Sequence, residues 1–407
     1  MSIDKVHRVS IETLITLYAK RHIQASARRV VRGARYLSYD IRLKNPFQMN
    51  EAIAVSEPLA LSLGVKSVAA YREGGIIRYD ITLPDDFWQV VRYADMKEPF
   101  QIGVSPGNTP ITFSPLDPNQ MIVGVPGSGK SEGIKTILSA TTRQLNPDAF
   151  RFCLIDPHRS IVEFDQSPHL ALPVAHEKEG VQEVMNFFAS HLKRRKQAGE
   201  ATVKADAKQY PILMMVIDEA SEPTVLGAER FPNKENISTI QQLAKEGRKF
   251  NLRILLGTQK PTEADLPGIF SVFPTRYVGA VTDARMAAHF SGKKEVPAHL
   301  LTGNGDFFRS RGDELTRFQF ALLSPEDKQA LPTATMRLPL TTEDTQTGRP
   351  ILEIDPETIA YYLQPDAKIT LTKAKNELGL SRTGHERHRD FALRLKNKLR
   401  ELHERKQ

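Results

Sequence analysis

The feature that most constrains this chain is a glycine-rich segment that stands between an apolar run and a helical pattern. It reads Gly124-Val-Pro-Gly-Ser-Gly-Lys-Ser131 and fits the pattern G-x-x-x-x-G-K-[ST]. Residues 121–123 before it are strand-like, and Ile134, Ile137 and Leu138 after it recur at helical spacing. The order of strand, glycine loop and helix predicts a loop that cradles phosphate at the start of a buried helix.

The residue types in this loop suit a nucleotide. Glycines let successive backbone N–H groups turn toward phosphate oxygens, and the start of the helix adds partial positive charge. Lys130 can bridge the terminal phosphates of ATP, and the Ser131 hydroxyl can ligate Mg²⁺. The predicted nucleotide contacts are Gly124, Val125, Pro126, Gly127, Ser128, Gly129, Lys130, Ser131 and Glu132.

A second apolar strand pattern ends in two acids. It reads Pro211-Ile-Leu-Met-Met-Val-Ile-Asp-Glu219, and such an unbroken apolar run suits a strand covered on both faces of a parallel sheet. Asp218 is predicted to hold Mg²⁺ through water, and Glu219 to polarise the attacking water as a general base. The sequence therefore predicts ATP hydrolysis with Lys130, Asp218 and Glu219 as catalytic residues and with Ser131 and Asp218 at the metal.

Composition narrows the class of protein. A chain of 407 residues with 40% apolar and 26% charged residues allows roughly two to three globular domains. The single cysteine, Cys153, excludes an internal disulfide framework and a multi-cysteine zinc site. No apolar run approaches the length of a membrane span, so we expect a cytoplasmic protein without a span of its own.

The positive charge is concentrated at the two ends of the chain. Residues 1–44 hold ten Lys/Arg against three Asp/Glu, and residues 366–407 hold twelve against six. The net charge of the whole chain is +8, so the part between them is acidic. Such basic ends favour contact with a polyanion, although solvated helix faces have the same composition.

The pattern of elements divides the chain into five parts. Residues 1–32 are predicted to form a basic helical segment. Residues 33–98 are predicted to form a small α/β domain, in which strand patterns at 35–43 and 75–83 flank a short helix at 55–63. Residues 99–330 alternate strand and helix, with strand patterns at 121–123, 152–155, 212–217, 254–256, 277–278 and 317–323. This alternation predicts an α/β domain with a mostly parallel sheet. A Thr- and Pro-rich linker covers 331–350, and a basic helical module covers 351–407.

The residues at the predicted strand ends carry a specific resemblance. They read Asp156-Pro-His158, Gly257-Thr-Gln-Lys-Pro261, Asp283-Ala-Arg285 and Gly303-Asn-Gly-Asp-Phe-Phe308. In number, order and spacing they resemble the motifs of the FtsK/SpoIIIE-type DNA translocases of the FtsK–HerA superfamily. His158 stands where that family usually has Lys, and Lys260 where it usually has Arg. The resemblance implies a RecA-like P-loop ATPase fold.

The resemblance also implies roles for further residues. Gln259 would be a polar sensor of the γ-phosphate, and Arg276 and Arg285 would reach the nucleotide of a neighbouring subunit as trans-acting fingers. Fingers of this kind imply a homo-oligomer, and the family implies a hexameric ring around double-stranded DNA. Loops 222–236 and 260–275 would face the channel, and Arg230, Lys234 and Lys260 would contact DNA phosphates.

The C-terminal module has three helical patterns separated by short turns. Its layout is compatible with a helix-turn-helix or winged helix, in which the last helix enters the major groove. Arg382, Arg387 and Arg389 would then lie nearest the DNA. A basic amphipathic helix that serves assembly has the same pattern.

The function predicted from these observations is an ATP-dependent translocase of double-stranded DNA, serving plasmid, mobile-element or phage DNA movement. Two alternatives stay open from the residues. One is a RecA-like helicase or recombinase that acts on single strands. The other is a DNA-binding regulator whose P-loop only switches its state, although a well-placed base such as Glu219 is not required for switching.

Overall fold

The structure is a computed structural model of the chain. It describes residues 3–222, 225, 227–228, 231–232, 234–259 and 270–331. The predicted linker from 332 onward and the predicted C-terminal module lie outside the described residues. Among the helices that are described, none combines the length and the apolar character needed to cross a bilayer.

The helices are named in chain order. They are α1 (Ile3–Lys20), α2 (Met49–Ile53), α3 (Ser56–Leu63), α4 (Lys130–Thr142), α5 (Lys178–Ala198), α6 (Glu200–Ala205), α7 (Lys234–Glu246), α8 (Ala284–Ser291) and α9 (Pro325–Gln329). Short 3-10 helices lie at Pro46–Gln48, Asp85–Phe87, Tyr93–Asp95, Val162–Phe164, Gly247–Phe250, Phe270–Val272 and Ala298–Leu300.

The strands are named in the same way. They are β1 (Ala25–Arg32), β2 (Tyr36–Leu43), β3 (Val68–Glu73), β4 (Ile76–Thr82), β5 (Gln101–Ser105), β6 (Thr109–Thr112), β7 (Gln120–Val123), β8 (Phe150–Ile155), β9 (Ile212–Ile217), β10 (Gly227–Ala228), β11 (Phe231–Pro232), β12 (Leu252–Thr258), β13 (Thr275–Val278), β14 (Asp306–Arg311) and β15 (Glu314–Phe320).

A nine-stranded sheet forms the centre of the molecule, with the order β6-β5-β15-β14-β13-β7-β12-β9-β8. The strands β13, β7, β12, β9 and β8 run parallel to their neighbours within that group. The strands β14, β15, β5 and β6 extend the sheet antiparallel on one side. The predicted α/β class is confirmed, and the strands predicted near 121, 152, 212, 254, 277 and 317 are all present.

The parallel strands are apolar on both faces because helices cover both faces. In β9, Leu213, Met215 and Ile217 point into the core beneath α5 and α7. Their neighbours Met214 and Val216 point into the core beneath α4. Side chains alternate between the two faces of a strand, so an unbroken apolar run can be buried only between two layers. The interpretation of residues 212–217 as a doubly covered strand is confirmed.

A smaller antiparallel sheet precedes the large one, with the order β1-β2-β4-β3. Its apolar face packs against α1, α2 and α3 around Tyr39, Leu59 and Tyr79, which are fully buried. The strands predicted near 35–43 and 75–83 and the helix predicted near 55–63 are present. The strand β3 was not predicted.

The prediction of helix over 1–32 is wrong beyond residue 20. Helix α1 ends at Lys20, and His22 adopts a φ of 54°, a left-handed conformation that closes the last turn. Residues 25–32 form β1 instead, an edge strand that pairs only with β2 in the described part of the small sheet. The edge is exposed to solvent, so its side chains can be arginines. The strand therefore lacks the alternating apolar residues by which strands are recognised in a sequence.

Three strands of the large sheet were also missed, namely β5, β6 and β14. The strands β5 and β6 pair with each other, and β6 contains Pro110. Proline cannot donate a ladder hydrogen bond, so it weakens the strand pattern in the sequence. It is tolerated here because β6 lies at the edge of the nine-stranded sheet.

The two sheets meet at a buried charged cluster. Arg317 of β15 is 1% exposed, and its guanidinium bonds to the Asp306 carboxylate in β14 at 2.7 Å and to the Asp80 carboxylate in β4 at 3.3 Å. Burial alone would lower the pKa of Arg317, but the two carboxylates raise it well above its ordinary value. Ser38 and Tyr71 of the small sheet also donate hydrogen bonds to Asp80. Arg317 and Asp80 therefore each have partners on both sides of the junction.

We predict that Arg317→Met destabilises the fold by about 3–5 kcal/mol, because it leaves two buried carboxylates without their cation. The matched control is Arg311→Met, which breaks a more exposed pair with Asp117 and should cost less than about 1 kcal/mol. Urea unfolding followed by circular dichroism measures both values. Equal losses for the two variants would contradict the role of the buried cluster.

The decrease in the free energy of unfolding caused by Arg317→Met should also depend on pH. Burial raises the pKa of Asp80, and Arg317 opposes that rise. Without Arg317 the pKa in the folded state rises further, so ionised Asp80 destabilises the fold as pH rises through that value. The difference in unfolding free energy between variant and wild type should therefore shrink as the pH is lowered from neutral.

Candidate nucleotide-binding site

Parallel pairing brings the predicted strand-end residues to one edge of the large sheet. Ile155 of β8 is opposite Ile217 of β9, and Ile217 is opposite Leu256 of β12. Val123 of β7 is in turn opposite Thr258 of β12. Since these strands run in the same direction, the residues that follow them lie side by side. These followers are Gly124, Asp156, Asp218 and Gln259.

The glycine loop turns sharply between β7 and α4. Gly127 and Gly129 have φ values of 81° and 96°, a region that other residues rarely adopt. A Cβ on Gly129 would also lie 2.5 Å from the backbone nitrogen of Gly305. The Ala280 carbonyl holds the loop from outside, because it accepts a hydrogen bond from the Val125 N–H at 2.9 Å. The N–H groups of the first turn of α4 have no carbonyl partner in a helix, so they can bind an anion.

The basic and acidic groups predicted for the site do meet. Lys130 Nζ lies 3.0 Å from Asp218 Oδ1 and 3.5 Å from Glu219 Oε2, and all three side chains are buried. Lys130 also donates to the Asp218 backbone carbonyl. The Ser131 hydroxyl donates to Asp218 Oδ1 at 2.9 Å. Ser131 and Asp218 are therefore close enough to share one cation and its water shell.

Sequence reasoning missed a serine that holds Asp218. Ser160 Oγ lies 2.7 Å from Asp218 Oδ2 and 3.1 Å from Asp156 Oδ1. Asp156, fully buried, accepts further hydrogen bonds from the backbone N–H groups of Ser160 and Ile161. Asp156 thus shapes the turn after β8 that presents Ser160 to Asp218. The Asp-Pro pair after a strand was the available signal, but nothing in the spacing indicated that Ser160 would fold back.

Glu219 is oriented by two groups. Its Oε1 accepts hydrogen bonds from Ser221 Oγ at 2.6 Å and from the Gln259 backbone N–H at 3.1 Å. Gln259 therefore lies beside the acidic pair, at the end of β12, with its side chain partly exposed. The backbone of the predicted sensor residue thus fixes the residue predicted as the base.

The chemistry of these residues suits a nucleotide and a divalent cation. Within the described part of the chain, Ser128 Oγ is buried in the loop without a hydrogen-bond partner. A phosphate oxygen is an acceptor that this hydroxyl and the free N–H groups of the loop could share. Ser131 and Asp218 supply the hard oxygen ligands that Mg²⁺ prefers. The residues present therefore fit a Mg-nucleotide.

Glu132, a predicted nucleotide contact, and His158, a departure from the family motif, both have side-chain partners in this structure. Glu132, predicted to contact nucleotide, pairs its carboxylate with Lys135 at 2.8 Å and approaches Lys328 at 3.6 Å. Its possible contact with a nucleotide is through its backbone at the start of α4. His158, which follows Asp156-Pro157, lies 3.4 Å from Glu222.

The two arginines predicted as fingers differ in their surroundings. The guanidinium of Arg276 donates to backbone carbonyls of its own chain, those of Phe270, Phe273, His289 and Phe290. Arg285 is exposed in the first turn of α8, whose N-cap is Asp283. The segment that leads to α8 includes Ala280, the partner of the glycine loop. Arg285 is therefore the more available of the two.

Of the predicted DNA contacts, only Lys234 lies in the described part of the chain. It is exposed at the start of α7. The other five lie outside the described residues and stay predictions; they are Arg230, Lys260, Arg382, Arg387 and Arg389.

The sequence matches a family model and several curated relatives. Residues 89–209 match the FtsK/SpoIIIE family, a range that contains the glycine loop and ends before Asp218. DNA translocase FtsK of Streptococcus pneumoniae is 22% identical over 80% of this chain. DNA translocase FtsK of Borreliella burgdorferi is 25% identical over 70% of it. The matched stretches span only 46% and 39% of those relatives, so the chain covers less than half of their length.

Solved structures share the fold. The cytoplasmic domain of the type VII secretion ATPase EccC of Thermomonospora curvata has a TM-score of 0.51 at 18% identity, covering 62% of this chain and 34% of that one. The pCW3 conjugation coupling protein TcpA, solved with ATPγS, also has a TM-score of 0.51, at 13% identity, covering 78% of this chain and 96% of that one.

The sequence matches and the strand order agree with the resemblance seen in the strand-end motifs. The RecA-like P-loop fold is confirmed, and the family match supports the predicted enzyme class, an ATPase. Over residues 89–209 this chain is similar to the FtsK/SpoIIIE family, and its fold is that of P-loop ATPases.

Proposed function

We propose that this chain is an ATP-driven translocase of double-stranded DNA. The observation that carries the proposal is the convergence of Lys130, Ser131, Asp218 and Glu219 at one sheet edge. Nucleotide binding alone would not require two oriented carboxylates, those of Asp218 and Glu219. The names of the relatives, DNA translocase FtsK, support DNA as the polymer that is moved.

At the site, Lys130 Nζ would exchange its Asp218 contact for the terminal phosphate oxygens of ATP. The Ser131 hydroxyl and Asp218 would hold Mg²⁺, which neutralises phosphate charge when it is bound. Ser160 keeps the Asp218 carboxylate turned toward Ser131. Glu219, held by Ser221 and by the Gln259 backbone, would accept a proton from the attacking water. Because Gln259 bonds Glu219 through its backbone, its side chain would be available to contact the γ-phosphate.

We infer a ring in which neighbouring subunits complete the sites. The exposure of Arg285 near the loop that supports the glycine segment is the observation in favour of a trans-acting finger. Arg276 would have to break its four backbone contacts before it could reach a neighbour. Arg285 is therefore our first choice, and a homohexamer is the assembly that the resemblance implies.

The polymer contacts belong to the same proposal. Lys234 with Arg230 and Lys260 would touch the DNA backbone, and the C-terminal module with Arg382, Arg387 and Arg389 would grip or select the duplex. Backbone contacts of this kind track DNA without reading its sequence, and they weaken steeply with salt. We further propose the domain division given above and a reducing, cytoplasmic location, in keeping with the free buried thiol of Cys153.

The first prediction of the proposal concerns Glu219. In steady-state assays the wild type should hydrolyse ATP faster with linear duplex than with single strands or no DNA. Glu219→Gln should lower that rate by about 10²–10⁴-fold, because the general base is lost, while ATP still binds. Glu222→Gln is the matched control, since its carboxylate pairs with His158 rather than Lys130. A Glu219→Gln enzyme of normal rate would exclude the proposed base.

The same proteins distinguish the alternative functions. A labelled third strand on duplex DNA should be displaced by the wild type with ATP, and not by Glu219→Gln. Stimulation by single strands with separation of a duplex would favour a helicase. Nucleotide-dependent DNA binding without turnover would favour a regulator.

The second prediction concerns the trans-acting finger. Arg285→Ala and Lys130→Ala should each reduce ATP hydrolysis by about 10³-fold or more. In an equal mixture, activity should partly return, because the intact site of an Arg285→Ala subunit can meet the intact Arg285 of a Lys130→Ala subunit. A finger that acts within its own subunit would give no recovery. Arg276→Ala in place of Arg285→Ala tests the other candidate.

A further inference from the structure

An arginine of the small sheet reaches a loop of the large one. Arg35 lies just before β2, and its Nη1 donates to the Gly303 carbonyl at 3.0 Å while its Nη2 donates to the Asn304 carbonyl at 3.0 Å. The guanidinium also lies over the ring of Trp88, 4.8 Å from the centroid. The planar fork of an arginine suits two neighbouring carbonyl groups, so this contact fixes both the position and the orientation of the loop.

The same loop holds the phosphate-binding segment from its other side. The Asn304 N–H donates to the Gly127 carbonyl at 2.9 Å, and the Gly305 N–H donates to the Ser128 carbonyl at 2.7 Å. The C=O and N–H of one trans peptide unit point in opposite directions. A Ser128 carbonyl that faces Gly305 therefore turns the Gly129 N–H away from Gly305, toward the side where a phosphate would bind.

The loop has little freedom to absorb a displacement. The Asp306 carboxylate accepts hydrogen bonds from the N–H and hydroxyl of Thr302, both at 3.2 Å. Gln319 Nε2 donates to the Asn304 carbonyl at 2.8 Å, so Asn304 is shared between Arg35 and β15. Because the loop is fixed at both ends, a shift of Arg35 displaces the glycine segment as well.

We propose that Arg35 is a positioning residue for the nucleotide site, which links the small sheet to the phosphate-binding segment through residues 302–305. The inference rests on the proposed function, because it requires that Mg-ATP binds at Lys130 and Ser131. It gives the small sheet a role in nucleotide affinity, although Arg35 touches neither the nucleotide-binding segment nor the acidic pair.

The test compares two arginines of the small sheet. Arg35→Met should weaken ATP binding by about tenfold in calorimetric titration, the range expected for charge-assisted hydrogen bonds. Arg35→Lys should fall between this variant and the wild type, since an ammonium cannot fork to two carbonyls. Arg32→Met is the control, because Arg32 donates to the Phe87 carbonyl beside Trp88. Its affinity for ATP should equal that of the wild type.

Trp88 gives a readout that a loss of stability would not imitate. It is the only tryptophan of the chain, so its emission reports the Arg35 contact directly. ATP should change that emission in the folded wild type and in Arg32→Met, and should change it little in Arg35→Met. ATP should also slow hydrogen exchange at residues 35–37 in the wild type, a measurement that needs no variant.

The outcomes separate the two proposals. A wild type that does not bind ATP would end the proposed function. A wild type that binds ATP, with unchanged affinity in Arg35→Met and Arg35→Lys, would overturn the role of Arg35 alone. Arg35→Met could fail to fold, and two other measurements then decide. The role of Arg35 is overturned if Arg35→Lys binds ATP as tightly as the wild type and if ATP leaves hydrogen exchange at residues 35–37 of the wild type unchanged.

Discussion

Parallel pairing of β7, β12, β9 and β8 is the constraint on which the site depends. These strands are buried on both faces, and their registers align Val123 with Thr258 and Ile155 with Ile217. Every residue that follows a strand therefore reaches the same edge of the sheet. The glycine segment and the acidic pair are far apart in the chain, yet Lys130 and Asp218 meet at 3.0 Å.

That edge brings charge into a buried environment, and each buried charge there has partners. Lys130 faces Asp218 and Glu219, and Asp156 accepts hydrogen bonds from the turn that carries Ser160. The same rule holds at the junction of the sheets, where Arg317 lies between Asp306 and Asp80. A buried ion without a partner is far costlier than a surface pair, so these groups restrict how the segments can be arranged.

The small sheet is joined to the nucleotide site through the start of β14. Asp306 binds Arg317 on one side and Thr302 on the other, and the loop between Thr302 and Asp306 supports the glycine segment. Arg35 adds a contact from the small sheet to this loop. The motif Gly303-Asn-Gly-Asp306 therefore has a physical explanation. Gly303 allows close approach to the phosphate-binding segment, since a Cβ there would lie 3.0 Å from the Gly127 carbonyl oxygen, and Asp306 anchors the loop.

The sequence by itself determined the class of fold, the phosphate-binding segment and the acidic pair. These are local patterns: a glycine loop between a strand and a helix, and an apolar run that only a doubly covered strand can bury. Local pattern did not predict the strand at residues 25–32, because exposure at a sheet edge permits arginines there. It did not predict β6 either, because an edge position tolerates Pro110. Only the tertiary structure decided that Ser160 holds Asp218, that Ser221 orients Glu219 and that Arg35 reaches residues 303–304. Those contacts join segments through the packing of whole sheets, so no spacing along the chain could have indicated them.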